Sequence, residues 1–299
     1  MMKLLLTGAS GFLGSNIFPL LKEEMEVLTV GRSASNHIMS DLSIAVPTLT
    51  EPVDVVLHAA GKAHVVPKTP EEEADFFRIN VEGTRHLCEA LEKVGCPSNF
   101  VFISTVAVYG VDCGEGITEE APLNGITSYA LSKKQAEAFL QEWCVKNKVC
   151  LTILRLPLLA GPCPPGNLGA MIKGIQNGRY LSIAGGKARK SVLMVQDVAK
   201  VLPFVLNKGG IYNLCDTDTP SFGELEKLIA VQLGKGLPLN VPYGVAWILA
   251  KIGDCLGKKA PINTLKLNKI VGTLTFDSTK AQQELGWTPL SVMKNFKIR

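Results

Sequence analysis

The sequence predicts an α/β fold, a doubly wound parallel sheet followed by a smaller C-terminal α/β lobe. Three observations predict it. Short apolar, β-branched runs alternate with amphipathic stretches through the first half of the chain. A glycine-rich turn follows the first of these runs and opens a helical pattern. Past Leu156 the texture changes to Pro157, Gly161-Pro162-Cys163-Pro164-Pro165-Gly166 and Gly185-Gly186, loop-rich with short helical patterns, and here the second lobe begins.

The expected strands are residues 3–7, 26–30, 53–59, 99–105 and 149–156. They are almost continuously apolar, as strands are when crossover helices cover both faces of the sheet. Thr69-Pro70-Glu71-Glu72 offers an N-cap, a proline at the first helical position and a glutamate three after the cap, so a helix starts there and runs to about Arg78. The next, 81–94, places Leu87, Ala90, Leu91 and Val94 on one face and ends at Gly95, with Pro97 beyond. A third, 128–146, carries Ala130, Leu131, Ala138, Phe139 and Trp143. The domain expectation is a nucleotide domain over 1–160, completed by parts of 190–215, with 161–299 mainly a second, substrate-binding lobe.

Composition narrows the function. The 299 residues are 46% hydrophobic and 19% charged, with mean hydropathy +0.21, which supports a large core and excludes global disorder. A net charge of +4 without a long Lys/Arg block gives no support to an extended nucleic-acid surface. Leu4-Leu5-Leu6 breaks at once into Thr7-Gly8, too short for a signal-peptide core or a membrane span, so the expectation is a cytoplasmic protein without a membrane partner. The apolar stretch 241–250 is interrupted by Pro242 and Gly244 and reads as a buried helix. Eight cysteines without a C-x-x-C pair read as reduced thiols, and four histidines without ligand spacing give no basis for a metal site.

Thr7-Gly8-Ala9-Ser10-Gly11-Phe12-Leu13-Gly14 stands between a strand and a helix, the order a Rossmann-type dinucleotide site requires. Small residues let backbone N–H groups approach a pyrophosphate, and the helix N-terminus adds favourable partial charge. The spacing is G-x-x-G-x-x-G, and a tight βα connection without a ligand is the lesser alternative for the turn by itself. Pro19 is expected to kink the following helix. After the second strand, Gly31-Arg32-Ser33 lacks an acid for a ribose 2′-hydroxyl, and Arg32 with Ser33 suits a 2′-phosphate, which leans toward NADP. Asp41 and Leu42 are candidates for the adenine end.

Tyr129 and Lys133 are four apart on the third helix and project from one face. A tyrosine is a poor base at its ordinary pKa of about 10, and an adjacent ammonium favours the phenolate. Upstream, Ser104-Thr105-Val106-Ala107-Val108-Tyr109-Gly110 places hydroxyls at the C-terminal edge of the sheet, where open α/β folds bind ligands, so Thr105 is placed to hold a substrate oxygen.

The motifs T-G-A-S-G-F-L-G, H-A-A-G (58–61), N-V-E-G-T (80–84), S-T-x-x-V-Y-G, Y-x-x-x-K and Leu154-Arg155 before Gly161-Pro162 occur in one order. With Val195-Gln196-Asp197-Val198-Ala199, Gly210-Ile211-Tyr212-Asn213 and the terminal Leu285-Gly286-Trp287-Thr288-Pro289, they span nearly the whole chain. As a set the chain resembles an extended short-chain dehydrogenase/reductase of the NAD-dependent epimerase/dehydratase group, similar to UDP-glucose 4-epimerases.

The resemblance implies Tyr129 as acid/base, Lys133 as its activator and cofactor ligand, and Thr105 as the hydroxyl partner, with Ser104 in support. It implies Asn80 as support for the lysine and an active-site water, and Ala59, Ala60 and Gly61 as lining of the dinucleotide, NAD or NADP. It gives the second lobe a nucleoside diphosphate sugar, UDP-linked, contacted by Asn167 and by Arg189 or Lys190, with His64 beside nicotinamide and sugar. It also implies a homodimer. Val106-Ala107 stands where dehydratases of the group carry an acidic pair, which argues against dehydration. The activity implied is 4-epimerisation by hydride transfer at C4, with an NAD(P)H-dependent 4-ketoreductase as the alternative and a non-catalytic dinucleotide-sensing protein more remote.

Overall fold

The computed structural model describes residues 1–63, 65–256 and 262–298. A seven-stranded, all-parallel sheet organises the first part of the chain. Its strands are β1 (Lys3–Thr7), β2 (Glu26–Gly31), β3 (Ile38–Met39), β4 (Val55–His58) and β5 (Asn99–Thr105). The chain continues through β6 (Gly114–Ile117), β7 (Cys150–Leu156), β8 (Leu158–Ala160), β9 (Leu181–Ile183), β10 (Val192–Met194) and β11 (Gly210–Asn213) to β12 (Leu239–Val241) and β13 (Leu274–Phe276). The order in the main sheet is β11-β7-β5-β4-β1-β2-β3. The chain leaves β1 in one direction to β2 and β3 and returns to β4 on its other side, so the topological switch lies between β1 and β4. That is where a doubly wound sheet opens a crevice at its carboxyl edge.

Alternation along the strands divides the core. Leu4 and Leu6 of β1, Val55 and Leu57 of β4 and Val101 of β5 pack on α1 (Phe12–Glu24), α6 (Asp197–Val205) and α10 (Thr279–Leu285). Leu5, Val56, Phe100 and Phe102 face the other way, onto α3 (Gly83–Val94) and α4 (Ser128–Asn147). Each such buried leucine stabilises the fold by about 1.5–3 kcal/mol. Helix α1 runs through Pro19 as one element, with no break in the helical stretch; both the proline and Ser15, whose carbonyl loses its N–H partner there, are exposed residues.

Thr69 caps α2 (Pro70–Phe77), its hydroxyl accepting from the Glu72 N–H at 3.2 Å. Instead of stopping near Arg78, the helix passes through a π-helical turn, Arg78–Glu82, directly into α3. The turn holds buried Asn80. The end at Gly95 is as expected, with φ +118°.

The rest of the chain forms a second cluster. α5 (Gly166–Gln176), α7 (Phe222–Gln232) and α11 (Val292–Asn295) bury Leu168, Met171, Leu225, Ile229 and Val292 around β10. β10 pairs with β8, β12 with β9 and β13 with β6. α8 (Tyr243–Leu256) and α9 (Thr264–Val271) lie on this part. The buried helix expected over 241–250 is α8, but it is not buried: it exposes Tyr243, Val245, Trp247, Ile248 and Leu249, because it turns its small residues Ala246, Ala250 and Gly253 to the protein. Among the described residues no helix is long and apolar enough to cross a membrane.

Candidate active site

The glycine turn sits at the switch point and is shaped by close backbone approach. A Cβ on Gly14 would lie 2.1 Å from the Gly8 carbonyl oxygen, and one on Gly8, at φ +76°, would lie 2.7 Å from the Ala60 nitrogen. Gly11 is the N-cap of α1 with no side chain to occupy the helix N-terminus. The crevice so formed has the backbone donors and the room that a pyrophosphate needs, so these residues fit a dinucleotide. Ser10, Arg32, Asp41 and Leu42 line its outer end with Ala59, Ala60 and Gly61, a cavity of about 410 Å³. Burial pushes the Asp41 carboxyl up, but hydrogen bonds from Ser43 and the charge of Arg32 outweigh it and hold the pKa below the usual carboxylate range.

The inner end, about 220 Å³, is lined by Phe12, Leu13, Gly14, Ser104, Thr105, Tyr129 and Lys133. The two cavities meet at Gly8, Gly11, Ala59 and Gly61. Thr127 caps α4 through the Ala130 N–H at 3.2 Å, which sets Tyr129 and Lys133 in its first two turns, over the end of β5. Burial raises the Tyr129 phenol above its usual pKa, opposed by a side-chain hydrogen bond with Thr105. Lys133 is buried, donates to the Ile103 carbonyl at 2.8 Å and lies over the Phe102 ring at 4.5 Å. Burial lowers its pKa to about 8, against the raising influence of Glu137. Burial thus governs the Tyr129 phenol, and the expected lowering by the Lys133 ammonium is not among the influences on it.

Asn80 ties three elements together. Its Oδ1 accepts from the Lys62 N–H at 2.7 Å, and its Nδ2 donates to the Ser132 hydroxyl at 2.9 Å and to the Lys62 carbonyl at 3.2 Å. A Cβ on Gly61 would come within 3.0 Å of the Asn80 Oδ1 and 3.3 Å of the Lys133 ammonium, so both flank this glycine. The π turn provides the extra residue that aims Asn80 at the loop, a common use of such turns at functional sites.

Two networks lie beneath the crevice. In the first, the Ala60 N–H donates to the Thr7 hydroxyl at 3.1 Å, which lies 2.6 Å from Nδ1 of buried His58. His58 Nε2 lies 2.9 Å from the Thr84 hydroxyl, which donates to the Asn80 carbonyl at 2.7 Å. Because the Thr84 proton is committed to Asn80, the imidazole donates from Nε2 and accepts at Nδ1, a neutral ring. Burial, with the Lys133 charge, pushes its pKa down to about 3. In the second network, Arg155 and Glu137 form a buried ion pair at 2.7 Å, and the Ser104 hydroxyl donates to the same carboxylate. Arg155 also donates to the Tyr109 hydroxyl at 3.2 Å, which donates to Asn213 at 2.7 Å.

Past Pro157 and Leu158, which line both spaces, the inner crevice leads to a cavity of about 510 Å³. Asn167, Lys190, Lys269 and Glu226 line it. Burial lowers the Lys190 pKa, and its ammonium donates to the Lys269 carbonyl at 3.2 Å. Arg189 lies elsewhere: exposed, it donates to the Thr219 carbonyl at 2.9 Å and pairs with Glu224 at 3.5 Å. His64 lies outside the described residues.

Comparison with known proteins identifies the family. The model of the NAD dependent epimerase/dehydratase family matches residues 4–215. The N-acetyl-alpha-D-glucosaminyl-diphospho-ditrans,octacis-undecaprenol 4-epimerase of Escherichia coli O157:H7 is 28% identical, over 92% of this chain and 87% of that protein. The UDP-glucose 4-epimerase of Vibrio cholerae is 24% identical, over 96% and 90%. A solved UDP-galactose 4-epimerase shares the fold with a TM-score of 0.76, at 21% identity over 99% of this chain and 96% of that one. The chain is thus an enzyme of the NAD-dependent epimerase/dehydratase family, an extended short-chain dehydrogenase/reductase with NAD as its dinucleotide.

Proposed function

We propose that the protein inverts C4 of a sugar held through its diphosphate, with Tyr129 as the acid/base. The observation that carries this reading is the convergence of Thr105, Tyr129 and buried Lys133 on one crevice, which joins the dinucleotide turn to the 510 Å³ cavity. Bound NAD supplies a hydride acceptor that is also a donor, and in its oxidised form a positive charge that favours the phenolate. Thr105 orients the C4 hydroxyl toward Tyr129, which removes its proton as hydride leaves C4. The 4-keto sugar turns in the large cavity, where Lys190 and Asn167 hold the diphosphate by charge-assisted and neutral hydrogen bonds. When hydride returns to the other face, Tyr129 gives the proton back. Lys133 binds the nicotinamide ribose, and Asn80 fixes the loop at Gly61 that lines it. Arg32 and Asp41 hold the adenosine end, and Ser104 supports the floor as a cofactor contact.

The carrier beyond the diphosphate has two readings. UDP is the first. The second is a polyprenyl diphosphate, the carrier in the name of the E. coli relative, and the exposed apolar face of α8 favours it. Incubating purified protein with UDP-sugars or with polyprenyl-diphosphate sugars, without added cofactor, tests the activity and separates the carriers. Interconversion of C4 epimers by enzyme that purifies with NAD is expected. Stoichiometric NAD(P)H loss on a 4-keto sugar nucleotide would instead establish the reductase that Arg32 suggests.

A further inference from the structure

Helix α8 is turned inside out relative to an ordinary surface helix. Its buried residues are the small ones, Ala246, Ala250 and Gly253, packed with Leu267 of α9 and against Ile183 and Val241. Its large apolar residues Val245, Ile248, Leu249, Ile252 and Leu256 are each 49 to 65% exposed. Their spacing, i, i+3, i+4, i+7 and i+11, makes them a single stripe along the outer face. Trp247 flanks the stripe with the Lys251 ammonium over its ring at 5.7 Å. Monomeric soluble proteins expose large apolar residues singly; a continuous stripe marks a contact surface.

Charge says what the surface meets. Residues 234–272 carry six lysines against one acidic residue, Asp254, while the whole chain has a net charge of only +4. The remainder of the sequence is therefore close to neutral, and the net positive charge belongs to the segment that holds α8 and α9. Pressing two copies together through it would oppose like charges. An anionic lipid surface complements both the lysines and the apolar stripe, and Tyr and Trp are the residue types that settle at headgroup level. The 14 residues of α8 span roughly 21 Å, less than the roughly 30 Å of bilayer hydrocarbon, so the helix lies in the interface and does not cross it.

The position is also significant. Ile183 packs beneath α8 and lines the 510 Å³ cavity, and α9 contributes Lys269 and Ile270 to the same wall. We infer that α8 docks the protein peripherally on an anionic bilayer, with the mouth of its sugar-diphosphate cavity beside the lipid surface. This placement accords with the polyprenyl-carrier reading, but the docking itself does not depend on C4 chemistry, so vesicle binding and epimerase activity fail or succeed separately.

The full-length protein is sedimented with vesicles of phosphatidylcholine alone or with about one-third phosphatidylglycerol. Most of the protein is expected to sediment with the anionic vesicles and little with the neutral ones, and raising the salt weakens the binding. The triple variant Ile248→Gln/Leu249→Gln/Ile252→Gln should lower partitioning by at least about tenfold with far-UV circular dichroism unchanged. Equal binding to neutral vesicles, no binding to either, or wild-type partitioning by the variant overturns the proposal. So does a wild-type dimer in light scattering that the triple variant converts to monomer, because the stripe then belongs to a second copy. If the triple variant loses its circular dichroism, Lys251→Glu with Lys266→Glu replaces it, with the same expected loss on anionic vesicles and the same contrary result.

Discussion

Glu137→Ala probes the floor of the active site more sharply than any change in the crevice itself. The Glu137 and Arg155 side chains are 2% and 3% exposed and meet at 2.7 Å, with a second bond from the arginine Nε at 3.2 Å. Alanine leaves the guanidinium buried, with the Tyr109 hydroxyl at 3.2 Å and the Glu119 carbonyl at 3.5 Å as its remaining partners. Stranding a buried charge costs about 3–5 kcal/mol. Unfolding entropy of about 2.1 cal/mol/K per residue, over 299 residues, converts this to a fall of about 5–8 °C in melting temperature, read by calorimetry. Replacing both partners, Glu137→Leu with Arg155→Met, removes the stranded charge and should recover most of the loss. A Glu137→Ala melting temperature within about 2 °C of the wild type would refute the reasoning. So would a double variant less stable than the single.

Three further outcomes follow from the same geometry. His58, with its pKa at about 3 against an ordinary 6.5, stays neutral in the folded protein while the unfolded chain takes up a proton, so stability falls as pH drops from 6.5 toward 3; urea titrations of His58→Gln should show a flatter acid slope, and an unchanged slope would contradict the buried neutral ring. Gly14→Ala forces a Cβ to 2.1 Å from the Gly8 carbonyl oxygen, whereas Gly11→Ala meets the same atom at 3.3 Å; NAD content after purification should be lost in the first and largely kept in the second. Lys190→Ala should raise KM for the sugar diphosphate about tenfold or more, from loss of a charge-assisted bond, while Arg189→Ala, outside the cavity, should stay within about twofold; the reverse ranking would move the diphosphate site.

Much of the fold is legible because the sheet is buried on both faces. β1 and β5 have the limits their apolar runs suggest, and α4 differs from its expected span by a single residue. The two-residue β3 is too short to carry a pattern. The π turn at Arg78–Glu82 reads locally as a helix end followed by a helix start, and its buried Asn80 is engaged by Lys62 and Ser132, which are distant in sequence. The crevice residues were readable as motifs, since each sits at a strand end or in one helix turn. The Glu137–Arg155 pair was not: it joins a helix to a strand across 18 residues, and although Arg155 stands in the Leu154-Arg155 motif, nothing there points to Glu137 as its partner. Hydropathy marks α8 as apolar but says nothing of which face the fold covers, and burial of its alanines left the larger residues outside.

The central claim, that Tyr129 moves the C4 proton in a reaction with no net redox change, is tested most directly by Tyr129→Phe. The variant keeps the ring and loses the hydroxyl that pairs with Thr105. C4 inversion of a UDP-linked or polyprenyl-diphosphate sugar, followed by NMR without added cofactor in protein shown to retain NAD, should slow by about 10²–10⁴-fold. A variant that inverts C4 at the wild-type rate would contradict the assignment.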